Sequence, residues 1–95
     1  MSDIKLGQIV HSKAGRDKGK YFIVVGIVDE EYVLIADGDL RKILNPKKKK
    51  AKHLVMHDIF ADTIEAKIKE KMPVNDSELK NCLQSIVVDK LNWSK

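Results

Sequence analysis

Two apolar runs limit what this 95-residue chain can fold into. Residues 21–25 and 32–35 are apolar at consecutive positions, Tyr-Phe-Ile-Val-Val and Tyr-Val-Leu-Ile. A strand with one face in water alternates apolar and polar residues instead. We therefore expect strands that are buried on both faces, so that a second layer must cover the outside of whatever sheet they form.

The first part of the chain has the composition of short strands separated by turns. The predicted strands are residues 6–12, 20–28, 32–36, 41–44 and 53–57, each rich in Val, Ile, Tyr or Leu or bounded by turn residues. Asp29-Glu30-Glu31 predicts a tight turn between the second and third, and Asp37-Gly38 predicts one between the third and fourth. Short strands at this spacing favour a small barrel, since closure removes exposed sheet edges.

The pattern changes to a helical period near residue 58. Asp58 is a candidate cap for a helix whose apolar stripe would be Phe60, Ile64, Ile68 and Met72, and Pro73 would interrupt it. Asn75, with Glu78 three residues later, predicts the start of a second helix. That helix would present Leu79, Leu83, Ile86, Val87 and Leu91 on one face.

These segments predict an α+β protein with a five-stranded barrel over residues 1–57. Residues 58–95 form a helical extension that supplies the missing outer layer, and the two parts make one compact unit. The alternative is that one helical stripe forms a homodimer or partner interface, which we favour less.

Composition restricts the class of protein further. Cys82 is the only cysteine, so it has no partner for an internal disulfide. We expect it to serve as a small apolar side chain in a protein of a reducing compartment. The first five residues are mostly polar and lack an apolar signal core, and no apolar run reaches the roughly 18 residues needed to span a bilayer. We expect a cytoplasmic protein with no membrane partner.

Positive charge is concentrated in the first part of the chain. Residues 1–57 contain 12 Lys and Arg against 7 Asp and Glu, whereas residues 58–95 contain 6 against 7. Much of the excess comes from Lys47–Lys50 and Lys52. This asymmetry indicates a polyanionic partner.

Glycines and cations alternate between the first two predicted strands. Gly15 and Gly19 let the backbone turn sharply, and the cations around them are Lys13, Arg16, Lys18 and Lys20. The segment differs from the phosphate-binding loop of nucleotide hydrolases, because three residues separate the glycines instead of four and Tyr21 follows Lys20 where a Ser or Thr would hold magnesium.

Residues 6–25 resemble a KOW motif, the strand-loop-strand element of several ribosomal proteins and of NusG-type elongation factors. Gly7 precedes the first strand, and Gly19 matches the glycine near the end of the loop. Asp37-Gly38-Asp39-Leu40-Arg41 and Lys52-His53-Leu54 are similar to one large-subunit ribosomal protein family of archaea and eukaryotes. The resemblance covers residues 6–57 and implies an SH3-like barrel followed by a helical extension.

The resemblance implies RNA binding through basic loops at the barrel rim, with ribosomal RNA as the expected partner and ribosomal proteins as further partners. The residues expected to contact RNA are Lys13, Arg16, Lys18, Lys20, Tyr21, Arg41, Lys47, Lys48, Lys49, Lys50 and Lys52, with Gly15 and Gly19 setting the loop geometry. Cations placed in this way position RNA phosphates without reading sequence. Two alternatives stay open: the lysine run as a solvated flexible loop, and Tyr21 as a barrel residue.

The histidines give no support for a metal site. On a strand, His53 and His57 would lie about 13 Å apart at roughly 3.3 Å per residue, and His11 has no evident partner. We find no catalytic set and expect neither an enzyme nor a cofactor. The hypotheses are therefore a ribosome-associated RNA-binding protein, a module that docks on a ribosomal protein or polymerase, and a small regulatory or enzymatic protein.

Overall fold

The computed structural model describes residues 3–90 and contains five strands, two α-helices and one short 3-10 helix. The strands are β1 (Gln8–Ser12), β2 (Tyr21–Ile27), β3 (Tyr32–Ala36), β4 (Lys47–Lys50) and β5 (Leu54–Phe60). The 3-10 helix is Ala51–His53, and the α-helices are α1 (Asp62–Lys69) and α2 (Asp76–Lys90). The prediction of a small α+β fold with five strands and C-terminal helices is confirmed.

The strands form one antiparallel sheet in the order β4-β3-β2-β1-β5. The two edge strands are consecutive in the chain and only the three-residue 3-10 helix joins them, so the sheet must curl to bring its edges together there. Within residues 3–90 the hydrogen-bonded ladder ends at β4 on one side and at β5 on the other. Within the described residues the strands thus form a curved antiparallel sheet.

Both faces of the sheet are buried, in agreement with the apolar runs of β2 and β3. The inner cluster consists only of strand residues and comprises Val10, Phe22, Val24, Val33, Ile35 and Leu54. The outer cluster lies between the sheet and the helices and comprises Ile9, Ile23, Ala36, Ala61, Ile64, Leu79 and Leu83. Consecutive residues of β2, Phe22 and Ile23, therefore belong to different clusters.

The prediction of a strand at residues 41–44 is wrong. Residues 37–46 form a series of turns, and the fourth strand is the lysine run that the sequence analysis treated as a loop. Lysine has little preference for strands, but β3 offers a free edge and β4 pairs with it from Ile35↔Lys47 to Tyr32↔Lys50. Both predicted turns are present, and the carboxylate of Asp29 accepts hydrogen bonds from the amides of Glu31 and Tyr32.

The start of the first helix was also predicted wrongly. β5 continues to Phe60 because Phe60 pairs with Gln8 of β1, so α1 begins at Asp62 with Ala61 before it and without the expected cap from Asp58. The second helix starts as predicted, since Asn75 Oδ1 accepts a hydrogen bond from the Glu78 amide at 2.8 Å. Leu91 lies outside the described residues.

Neither helix within residues 3–90 combines the length and the apolar character that a membrane crossing would need.

Candidate nucleic-acid interface

Residues 13–20, which we call the basic loop, form a compact turn between β1 and β2. The amides of Lys18, Gly19 and Lys20 donate to carbonyls of the loop and of β1 at distances from 2.7 to 3.2 Å. Gly15 and Gly19 have φ angles of +79° and +85°, which glycine adopts without strain. The cationic side chains of this turn are exposed: Lys13, Arg16, Lys18 and Lys20.

One face of β4 adjoins the basic loop. Lys47 and Lys49 stand opposite residues of the inner cluster in the β3–β4 ladder, and opposite residues in an antiparallel pair share a face. Lys49 Nζ donates to the Ala14 carbonyl oxygen at 3.2 Å and lies 3.5 Å from where a Cβ at Gly15 would be. Two segments that are 35 residues apart in sequence are therefore joined at this contact.

The opposite face of β4 has different neighbours. The ammonium groups of Lys48 and Lys50 lie 4.9 and 5.8 Å from the ring centre of Tyr32, within the range of a cation–π contact. The pKa of the Asp29 carboxyl lies below its usual value because the amides of Glu31 and Tyr32 donate to it, and the charge of Lys48 lowers it further. Lys48 and Lys50 thus lie toward Tyr32 and the turn Asp29-Glu30-Glu31, which we call the acidic turn.

The 3-10 helix contributes another cation beside the basic loop. The amide of Lys13 donates to the carbonyl oxygen of His53 at 3.0 Å, which ties the start of the loop to this helix. Lys52, the preceding residue in the chain, is exposed.

Arg41 reaches the basic loop through an ion pair. Its Nη2 donates to Asp17 Oδ2 at 3.0 Å, and the side chains of Arg41 and Asp17 are 30% and 6% exposed. Asp17 is thus a buried carboxylate between two exposed cations of the loop. The guanidinium that the sequence analysis assigned to RNA is paired within the protein.

Tyr21 belongs to a cluster of three rings. His11 Nδ1 and His57 Nε2 are 2.8 Å apart, and the ring centre of Tyr21 lies 5.3 Å from that of His11 and 5.4 Å from that of His57. All three side chains are half-buried, and Tyr21 also packs against the outer cluster. The expectation that His11 has no partner was wrong.

The histidine pair changes the acid–base behaviour of His57. Burial lowers the pKa of His57 below its ordinary value of 6.5, and the nearby charge of His11 lowers it further. Within residues 3–90 no three His, Cys, Asp or Glu side chains gather in a group able to hold a metal ion.

Neither the role of Asp17 nor the His11–His57 contact was predicted from the sequence. The sequence did contain a feature that indicates the ion pair of Asp17. It is the single carboxylate among the cations of the basic loop, and such a group needs a partner if it is buried. The histidine contact had no such feature, since it depends on the register of β1 against β5, which includes a bulge between Gln8 and Val10.

The fold and the site together define a small α+β protein whose basic loop and lysine strand meet at one end of a curved sheet. No protein-family model matches the chain. It is 34% identical over 65 residues to "Putative ribosome-binding protein YbzG" of Bacillus subtilis (strain 168), and the alignment covers 68% of this chain and 88% of that protein. The chain belongs to the same family as this Bacillus protein.

Proposed function

We propose that this protein is a ribosome-associated RNA-binding protein that acts by contacting RNA phosphates and has no catalytic activity. The name of its Bacillus relative, a ribosome-binding protein, supports association with the ribosome. The observation that carries the RNA contact is the junction of the basic loop with β4, where Lys49 Nζ lies 3.2 Å from the Ala14 carbonyl oxygen.

The proposed fold type is the SH3-like barrel of KOW proteins. The five-stranded antiparallel sheet and its strong curvature support this assignment, as does the position of the basic loop between β1 and β2. In such a protein the RNA would lie across the end of the sheet where the basic loop, the 3-10 helix and β4 come together.

The proposed interface includes only one face of the lysine strand. Lys47 and Lys49 share the face that adjoins the basic loop, whereas Lys48 and Lys50 stack on Tyr32 and lie toward the acidic turn. Carboxylates near Lys48 oppose the approach of phosphates. We therefore assign RNA phosphates to Lys47 and Lys49 together with Arg16, Lys18 and Lys20 of the loop.

Binding to structured ribosomal RNA fragments across a salt series tests this proposal. Each phosphate contact releases counterions, so the slope of log K against log salt falls by about 0.7 to 0.9 for every contact that is removed. We expect Lys47→Ala/Lys49→Ala to flatten the slope by about two contacts and Lys48→Ala/Lys50→Ala to leave it nearly unchanged. The two double variants remove the same charge from the same strand, so each controls for the other.

Each outcome has a separate meaning. Equal flattening by the two double variants would contradict the assignment to one face but keep RNA binding. A wild-type protein that shows no tight, salt-dependent binding to these RNAs would contradict the proposed function, because contacts with RNA phosphates require that dependence. In that case the module that docks on a ribosomal protein becomes the better hypothesis, and its affinity should respond only weakly to salt.

A further inference from the structure

We infer that Arg41 and Asp17 form a positioning pair, which holds the basic loop so that Arg16 and Lys18 face the RNA, while Arg41 itself makes no phosphate contact. This inference rests on the proposed function. It changes the role of Arg41 from a binding residue to one that acts through the loop.

The burial of Asp17 fixes the middle of the basic loop. Its side chain is 6% exposed and accepts from Arg41 at 3.0 Å, whereas Arg16 and Lys18 on either side are exposed. The carbonyl oxygen of Asp17 also accepts from the amide of Lys20 at 2.9 Å. A loop pinned inward at Asp17 must direct its two neighbours outward, which spares them part of the entropy cost of ordering on binding.

The other partner is held by the helical layer. The amide of Arg41 donates to Asp37 Oδ1 at 2.9 Å, and the Arg41 carbonyl oxygen accepts from the amides of Asp37 and Gly38. The segment that carries Arg41 docks on α2, because Asp76 Oδ1 accepts from the amide of Ile43 at 2.7 Å. A continuous set of contacts therefore runs from α2 through Arg41 to the basic loop.

The guanidinium of Arg41 is poorly placed for RNA. One terminal nitrogen is used by Asp17, and Nε is buried and has no hydrogen-bond partner among the described residues. Arginine usually binds phosphate through a fork of two N–H groups, and this geometry leaves the Nε side of the fork inaccessible to RNA.

Neutralising Asp17 distinguishes positioning from simple charge. If Asp17 were only a negative charge beside the RNA, Asp17→Asn would strengthen binding, because it removes repulsion of phosphates. If Asp17 positions the loop, the same change weakens binding. We expect Asp17→Asn and Arg41→Gln each to weaken RNA binding about tenfold at every salt concentration, with little change in salt slope. The double variant should be no weaker than the weaker single variant.

Lys42→Gln is the matched control for Arg41→Gln. Lys42 is the next residue, is exposed and has no ion pair within residues 3–90, so its substitution removes the same charge from the same segment without releasing the loop. Tighter binding by Asp17→Asn, or an equal effect of Arg41→Gln and Lys42→Gln, would overturn the positioning role.

A measurement on the wild-type protein covers the case in which the variants fold poorly. The chain has only two arginines, so its arginine Nε–H signals in an NMR spectrum report Arg16 and Arg41 separately. We expect RNA to shift the Arg16 signal strongly and to leave the Arg41 signal protected from solvent exchange and little shifted. A larger shift at Arg41 would refute the inference even if RNA binding is salt-dependent, whereas wild-type protein without salt-dependent binding would refute the proposed function.

Discussion

At the scale of single residues, Gly38 has the least room for a side chain, because it lies against the backbone of the first turn of α2. A Cβ at Gly38 would lie 2.2 Å from the carbonyl oxygen of Asp76 and 2.9 Å from the amide nitrogen of Lys80, at a φ of +81°. The helix can approach the 37–46 segment this closely because no side chain intervenes. Gly38 is therefore one of the points where α2 is fixed to the segment that follows β3.

Gly38→Ala should cost much more stability than Gly19→Ala. Both glycines have positive φ, so either change introduces strain of about 1 to 2 kcal/mol. Gly19 has nothing within 4 Å of the added Cβ, whereas at Gly38 the clash with the backbone of α2 raises the loss to about 2 to 5 kcal/mol. Urea unfolding of the two variants measures the difference, and equal losses would show that the helix contact at Gly38 is unimportant.

The histidine pair gives a second prediction for single residues. His57 has a lowered pKa in the folded protein, so its contribution to stability is complete above pH 6.5 and is lost as the pH falls through the folded value. When both rings are protonated, both facing nitrogens carry hydrogen and the 2.8 Å bond breaks. We expect the free energy of unfolding to fall as the pH is lowered from 7.5 to 5, because charging the half-buried His57 ring beside His11 is unfavourable in the folded protein.

His57→Gln should reduce that dependence of unfolding on pH, measured by urea titration at the two pH values. His53→Gln is the control, since His53 is exposed in the 3-10 helix and should behave as wild type. An unchanged pH dependence in His57→Gln would assign the effect to other groups.

At the scale of secondary structure, the sequence predicted elements well where local pattern decides and failed where distant contacts decide. Four strand predictions, those overlapping β1, β2, β3 and β5, rest on apolar composition, and the start of α2 rests on Asn75. The assignment of residues 41–44 failed because that segment is held by Asp37 and by Asp76 of α2. The lysines of β4 form a strand because β3 has a free edge, which no local propensity reveals.

The candidate site likewise combines features that follow from local pattern with features that depend on distant contacts. The exposed cations of the basic loop were predicted from the sequence, because glycines lie between them. The residues of other segments that contact the loop were not predicted. The division of β4 into two faces depends on its register with β3, and the partner of Arg41 lies 24 residues away in sequence. Contacts of this kind follow from the tertiary fold and cannot be read from spacing along the chain.

The cap of α2 gives a prediction at this scale. Asn75 Oδ1 satisfies the amide of Glu78, and the carboxylate of Glu78 pairs with Lys67 of α1. Asn75→Ala should therefore lower the free energy of unfolding by about 1 kcal/mol. Asn81→Ala is the matched control, because Asn81 is exposed inside α2, where alanine favours the helix and stability should rise slightly. Loss of equal size at the two sites would argue against a capping role.

At the scale of the whole molecule, the two apolar clusters share one sheet and should fold together. Phe22 and Ile23 are consecutive in β2, yet the first lies in the inner cluster and the second packs under the helices. Removing the helices would expose Ile9, Ile23 and Ala36, all fully buried in the intact protein, on a sheet only five strands wide. We therefore expect that the sheet does not form an independent domain, although the sheet and its loops contain every residue of the proposed RNA interface.

We expect that a fragment of residues 1–60 will not fold alone. It retains all five strands, the basic loop and the 3-10 helix, but the outer cluster loses four of its buried residues, Ala61, Ile64, Leu79 and Leu83. A chain this short depends on nearly all of its buried apolar surface. We expect the fragment to show neither cooperative thermal unfolding nor a dispersed amide NMR spectrum, in contrast to the full chain. A folded fragment that binds RNA as the full chain does would mean that the helices neither stabilise the sheet nor position the basic loop, and would also contradict the contact route from α2 to Arg41.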